Sequence, residues 1–225
     1  MTNEQRYATI CELIREHDRA FPDGRDMTKR ICENPEEWAK SGGEGFYVTA
    51  AKLLLDAAGA MDKEKTGAGR ISALKRLYKD AKGMNRDAWA GYMESGDRFV
   101  LLSPARFVRT VDRINSIPMA ELGGADPFDP EKIIPKDYAD REIVQLPTVA
   151  EIKKYMAANG LTAATAGDRP MEALPDWWCN PQFLLDMQTI IPGGIAYKPN
   201  NHYDVLYYKT ETEDAILLPM RHKAA

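Results

Sequence analysis

The sequence predicts an α+β chain: a helical N-terminal stretch, then helices packed on an antiparallel sheet. Three observations carry this. Residues 4–61 show helical spacing of apolar residues and no period-two alternation. Residues 88–112 fall into short strand-like runs, two of them joined by Ser95-Gly96-Asp97, the composition of a hairpin turn. Residues 195–220 offer three more such runs, directly after a helix with clear start and stop signals.

In chain order, residues 4–19 place Tyr7, Ile10, Cys11, Ile14 and His17 on one helix face, and Phe21-Pro22-Asp23-Gly24 ends that helix. A second helix is expected over 27–40 and a third over 46–61, with Tyr47, Ala50, Leu54, Ala57 and Ala58 at helical spacing. The charged, glycine-rich stretch from Asp62 to Gly69 separates these helices from the rest of the chain. The expected organisation is therefore a helical unit over 1–62, a linker over 63–69 and a second domain over 70–225.

That domain opens with a helix over 70–83, whose apolar arc is Ile71, Leu74, Leu77, Tyr78 and Ala81. Strands are expected over 88–95, 98–103 and 106–112, then a loop ending at Pro135, then a strand over 142–146. Thr148 and Glu151 have the spacing of a capping box, which starts a helix that stops at Gly160. Asn180 as N-cap and Pro181 in the first turn start another helix, ended by Pro192-Gly193-Gly194. Strands over 195–198, 204–210 and 215–220 close the domain. No internal repeat or low-complexity tract is visible.

Composition narrows the function classes. The chain has 225 residues, 44% hydrophobic and 28% charged, and its four Trp, ten Tyr and six Phe supply the buried area that disordered chains lack. No run approaches the ~18 apolar residues of a membrane span, and the polar start Met1–Arg6 leads into no secretory apolar region. A soluble, cytoplasmic protein is expected. The formal charge of −4 argues against a purely electrostatic nucleic-acid binder. Cys11, Cys32 and Cys179 are odd in number and show no CxxC spacing, so reduced, mostly buried thiols are expected rather than a disulfide framework or zinc site.

Catalytic signals are lacking. His17, His202 and His222 are scattered, and no HExxH, GxSxG, Walker-A or GxGxxG string occurs. Asp23 and Asp26 suit a turn and a helix cap better than a metal pair. Of Trp177 and Trp178, one is expected in the core and the other half-exposed. No catalytic residue, metal or cofactor is assigned.

Four stretches, in order, resemble the bacterial sliding clamp, the processivity factor of the replicative DNA polymerase. They are Leu102-Ser103-Pro104-Ala105-Arg106-Phe107, Asp129-Pro130-Glu131-Lys132-Ile133-Ile134-Pro135-Lys136-Asp137, Asn180-Pro181-Gln182-Phe183-Leu184-Leu185-Asp186-Met187 and Ala215-Ile216-Leu217-Leu218-Pro219-Met220-Arg221. The resemblance covers about residues 70–221, one domain's worth of chain where a clamp subunit has three. The turn also carries Ser103-Pro104 in place of Asp-Gly, and 161–177 is short and Ala/Gly-rich where hairpins belong. The resemblance implies a sheet curled behind its helices and a cleft that takes short linear peptides. By position, its lining here would be Leu102, Arg106, Phe107, Pro135, Ile216, Leu218, Pro219, Met220 and Arg221. Clamps also face DNA with basic helices. Lys75, Lys79, Lys82 and Arg86 fall at i, i+4, i+7 and i+11, one stripe beside the apolar arc.

The leading expectation is a non-enzymatic, clamp-like interaction protein of bacterial, prophage or mobile-element origin. It would bind a replication or repair partner's peptide and touch DNA weakly. The alternative is a phage-type inhibitor of a host nucleic-acid-processing or defence complex, with the helical N-terminal unit as its specificity element.

Overall fold

Thr2 opens the first helix through a capping box with Gln5, and α1 (Asn3–Ala20) turns Ile10 and Ile14 inward. The structure, a computed structural model, describes residues 2–21, 26–40, 45–83 and 89–221. Asp26 caps α2 (Met27–Glu33) by accepting the Lys29 N–H at 2.8 Å. The single helix expected over 27–40 is two, because Pro35 lacks an N–H and pushes the residue before it out of the helical region. Asn34 accordingly sits at φ −136°, and α3 (Pro35–Lys40) starts afresh. Helix α4 runs Phe46–Thr66, further than the apolar pattern foretold, and breaks at Gly67 before α5 (Ala68–Lys82). The stretch expected to be a linker is thus the end of one helix and the start of the next.

Two compact units result: residues 1–71 with 114–119, and 72–113 with 120–225. In the first, Ile10, Ile14, Met27, Ile31, Ala50, Ala51, Leu54 and Ala57 form the core. The return segment 114–119 is held by the buried Asp62 carboxylate, which accepts the backbone N–H groups of Asn115 (2.7 Å) and Ser116 (3.0 Å) and the Ser116 hydroxyl (2.5 Å).

The second unit is built on a seven-stranded antiparallel sheet. Its strands are β1 (Tyr92–Ser95), β2 (Arg98–Ser103), β3 (Arg106–Thr110), β4 (Ile143–Val144), β7 (Ile195–Tyr197), β8 (Leu206–Lys209) and β9 (Asp214–Leu217). The spatial order is β1-β2-β3-β9-β8-β7-β4. Gly96, at φ 65°, makes the tight β1–β2 turn, a backbone region where glycine carries no Cβ penalty. Helices α6 (Val149–Ala158) and α7 (Pro181–Ile190) begin as their caps foretold. Thr148 and Glu151 form both bonds of the capping box, and the Asn180 side chain accepts the Gln182 N–H at 2.9 Å. The architecture is α+β, as expected.

Two features escaped the sequence. One is a second, two-stranded sheet, β5 (Met171–Leu174) with β6 (Trp177–Cys179), turned at Asp176. Trp177 is buried and gives its indole N–H to the Asp204 carbonyl, while Trp178 is half-exposed. The other is a duplication of form. A helix followed by a three-stranded meander occurs twice, as α5-β1-β2-β3 and α7-β7-β8-β9, and the third strands of each set, β3 and β9, pair at the centre. The halves differ in their turns, with Gly96-Asp97 against the loop 198–205, so no sequence period marks them.

Candidate functional site

Alternation along the strands decides where the proposed cleft residues go. Leu102 pairs with Phe107, and Phe107 with Ile216, so these three form one row across β2, β3 and β9. That row is covered by Ile134 and flanked by Phe128 and Tyr138. Phe107 is 0% exposed and Ile216 1%. The segment ending at Pro135 does lie against β3 and β9, but it closes the core there, and Leu102, Phe107 and Ile216 are not a cleft lining.

Arg106 is likewise not a rim residue. Its neighbour Phe107 points to one face of the sheet, so Arg106 points to the other, toward the helices. There it is 3% exposed and forms ion pairs with Asp186 of α7 at 2.8 Å and Asp80 of α5 at 2.9 Å, with its guanidinium 4.0 Å from the Phe183 ring centroid. Arg76 of α5 also reaches Asp186, at 2.5 Å, and Gln182 donates to it at 2.8 Å. Asp186 is fully buried, so its charge is acceptable only because these polar contacts surround it. In the sequence Arg106 was assigned to the cleft and Gln182 and Asp186 fell in a clamp-like stretch, but nothing joined them to Arg76 and Asp80. The i, i+4 spacing of Arg76 and Asp80 was the one local hint that both face the same way.

A matching cluster occupies the opposite face of the sheet. Arg109 bonds Asp214 through Nε (2.8 Å) and Nη2 (2.6 Å) and Glu131 through Nη1 (2.7 Å), and the Tyr207 hydroxyl donates to Asp214 at 2.8 Å. Burial alone would lower the Arg109 pKa, but the two carboxylates more than offset it and hold the group charged. Burial, then the Asp214 charge, raises the Tyr207 phenol, which stays a neutral donor.

What remains at the surface of the expected cleft is its end. After the last β9 residue, Leu217, the chain runs on with its Leu218 N–H bonded to the Ala105 carbonyl (2.9 Å) and its Met220 N–H to the Trp178 carbonyl (2.7 Å). Leu218 is 39% exposed, Pro135, Pro219 and Met220 are half-buried and Arg221 is exposed.

On α5, Lys75, Lys79 and Lys82 are all exposed, as the stripe required, and Lys82 stands over the Tyr78 ring at 4.6 Å. Arg86 lies outside the described residues. The acid of this helix, Asp80, is engaged with Arg106, and Arg76 is engaged with Asp186. The fully exposed charges of α5 between Ser72 and Lys82 are thus lysines, beside a half-exposed Arg76 and Asp80 that are each ion-paired.

Among the described residues, no group of three or more His, Cys, Asp or Glu is placed to hold a metal ion, and no helix is long and apolar enough to cross a membrane. Asp23 and His222 lie outside the described residues, while Asp26 serves as a helix cap. His202 is an exposed turn residue whose ring lies 3.8 Å from that of Tyr203. In the first unit, His17 and Asp18 converge on the Tyr47 hydroxyl, at 3.2 and 2.5 Å, and Thr28 ties Asp18 down through its N–H and hydroxyl. The chain matches no family model, no curated protein and no solved structure.

Proposed function

We propose that this chain is a non-catalytic, clamp-like interaction protein that rests a nucleic-acid backbone on α5. The observation that carries the reading is the exposed row Lys75, Lys79 and Lys82 on a helix whose one acid, Asp80, is ion-paired with Arg106. Like charges at i, i+4 and i, i+3 cost an isolated helix about 0.2–0.5 kcal/mol per pair. A phosphate backbone converts that repulsion into attraction by releasing condensed counterions. Three lysines neutralise few phosphates, so the contact is weak and independent of sequence. Further support comes from the four clamp-like stretches, which fall in one unit: β3 pairs with β9, and Ile134 packs with Phe107 and Ile216.

A second contact is favoured by the exposure of Leu218 beside half-buried Pro219 and Met220. This stretch offers an adaptable apolar foothold for a partner's side chains, with Arg221 at its edge for a carboxylate.

The test is fluorescence anisotropy with a labelled DNA duplex at low salt, comparing the wild type with Lys75→Glu/Lys79→Glu/Lys82→Glu. Weak binding that the triple variant abolishes supports the reading. Absent binding, or binding that the reversal leaves unchanged, overturns it. A stoichiometric protein complex that forms without these lysines, without the Leu218–Met220 stretch, and only when residues 1–62 are present would favour the inhibitor alternative instead.

A further inference from the structure

Cys11 on α1 and Cys32 on α2 stand 21 positions apart in the chain, yet their sulfurs are 3.1 Å apart. Both are half-buried at the edge of the helical core, beside Ile10, Ile14 and Ile31, and the Tyr7 hydroxyl donates to the Cys32 carbonyl at 3.4 Å. All three cysteines are free thiols, and of them Cys179 alone is fully buried, at 0% exposed.

We propose that Cys11 and Cys32 form a reversible dithiol–disulfide site that reacts with low-molecular-weight disulfides. The sulfurs need about 1 Å of closure to reach the ~2.05 Å of a disulfide bond, a shift within the range of small χ1 adjustments. The two thiols are not equivalent. Cys32 donates its S–H toward Cys11, which lowers the Cys11 pKa against the opposing effect of burial, and Arg15 one turn along α1 lowers it further. The same bond raises the Cys32 pKa, and burial adds to the rise. Cys11 is therefore the attacking thiolate and Cys32 the resolving thiol.

The chemistry balances with oxidised glutathione as the oxidant. The Cys11 thiolate attacks one glutathione sulfur and expels a glutathione thiolate, leaving a mixed disulfide. Cys32 then gives up its proton and attacks the Cys11 sulfur, which breaks the mixed disulfide and releases the second glutathione. Two protein thiols are oxidised and one glutathione disulfide is reduced to two thiols. The product ties α1 to α2 within the first unit.

Mass spectrometry of the full-length chain after treatment with oxidised glutathione, acid quench and alkylation tests this. The expected product has lost two hydrogens, joins tryptic peptides 7–15 and 31–40, carries an alkylated Cys179 and reverts with dithiothreitol. In Cys32→Ser a glutathione adduct should persist on Cys11, and in Cys11→Ser the adduct on Cys32 should form at least tenfold more slowly. Separate adducts on both cysteines of the wild type without the linked peptides, a disulfide between two chains, or unmodified thiols would each overturn the proposal. The wild-type readout stands even if a variant folds poorly.

Discussion

Arg106 shows how one residue's direction decides its role. It was a plausible cleft rim in the sequence, but Arg106 and Phe107 are consecutive on a strand and cannot line the same side. Period-two alternation alone would have separated them. Its actual partners, Asp80 and Asp186, lie 26 and 80 positions away and could not be read locally. Removing Asp186 takes from the buried Arg106 its fully buried partner and leaves only the half-exposed Asp80 to offset its charge. Asp186→Leu should cost about 3–5 kcal/mol in urea unfolding, and Arg106→Met/Asp186→Leu should recover most of it. Gly194 is a second residue-scale constraint, since a Cβ there would lie 2.5 Å from the buried Tyr208 ring. Gly194→Ala should cost about 1–3 kcal/mol by the same measurement. Asp18 gives a pH signature. Burial opposes its ionisation, but hydrogen bonds from Tyr47 and Thr28 prevail and lower its pKa below 3.8. A lowered carboxylate pKa contributes stability that is complete above the unfolded value and lost as pH falls through the folded one. Acid titration of stability should therefore show a component below pH 3.8 that Asp18→Asn removes.

At the scale of elements, what was legible came from local chemistry. The caps at Thr148 and Asn180 and the turn at Gly96 involve residues within three positions of each other, and all formed where expected. Thr148→Ala should cost about 1 kcal/mol through loss of the α6 cap, visible as a lower unfolding midpoint. Pro35 was an available signal for the α2–α3 break that the broader helical period obscured. The β5–β6 hairpin was harder, because it is short, carries a register irregularity between Glu172 and Leu174, and turns at Asp176. Charge hid the length of α4, which continues through residues too polar to mark a buried face. In α5 the lysine row was legible as a stripe, while the ion pair of Asp80 with Arg106 was not. Lys79→Glu would replace two like-charge pairs with opposite ones, and should leave stability equal or raised by about 0.2–0.5 kcal/mol per pair. A loss of DNA binding without loss of stability is the signature expected of a surface residue kept for contact.

Over the whole molecule, two units and a doubled helix-and-meander form emerge from a sequence with no visible period. The duplication was illegible because antiparallel meanders tolerate different turns and different side chains as long as one face stays apolar. A net charge of −4 sets the context for the proposed function. The chain as a whole repels a polyanion, so any DNA contact must be local, weak and strongly dependent on salt. The most direct measurement is the slope of log affinity against log salt for a DNA duplex, in the wild type and in Lys75→Ala/Lys79→Ala/Lys82→Ala. Three phosphate contacts predict a wild-type slope of about −2.7, which is about a 40-fold loss of affinity between about 50 and 200 mM salt, and a slope near zero in the variant. A wild-type slope near zero, or equal slopes in the two proteins, would contradict the proposed contact.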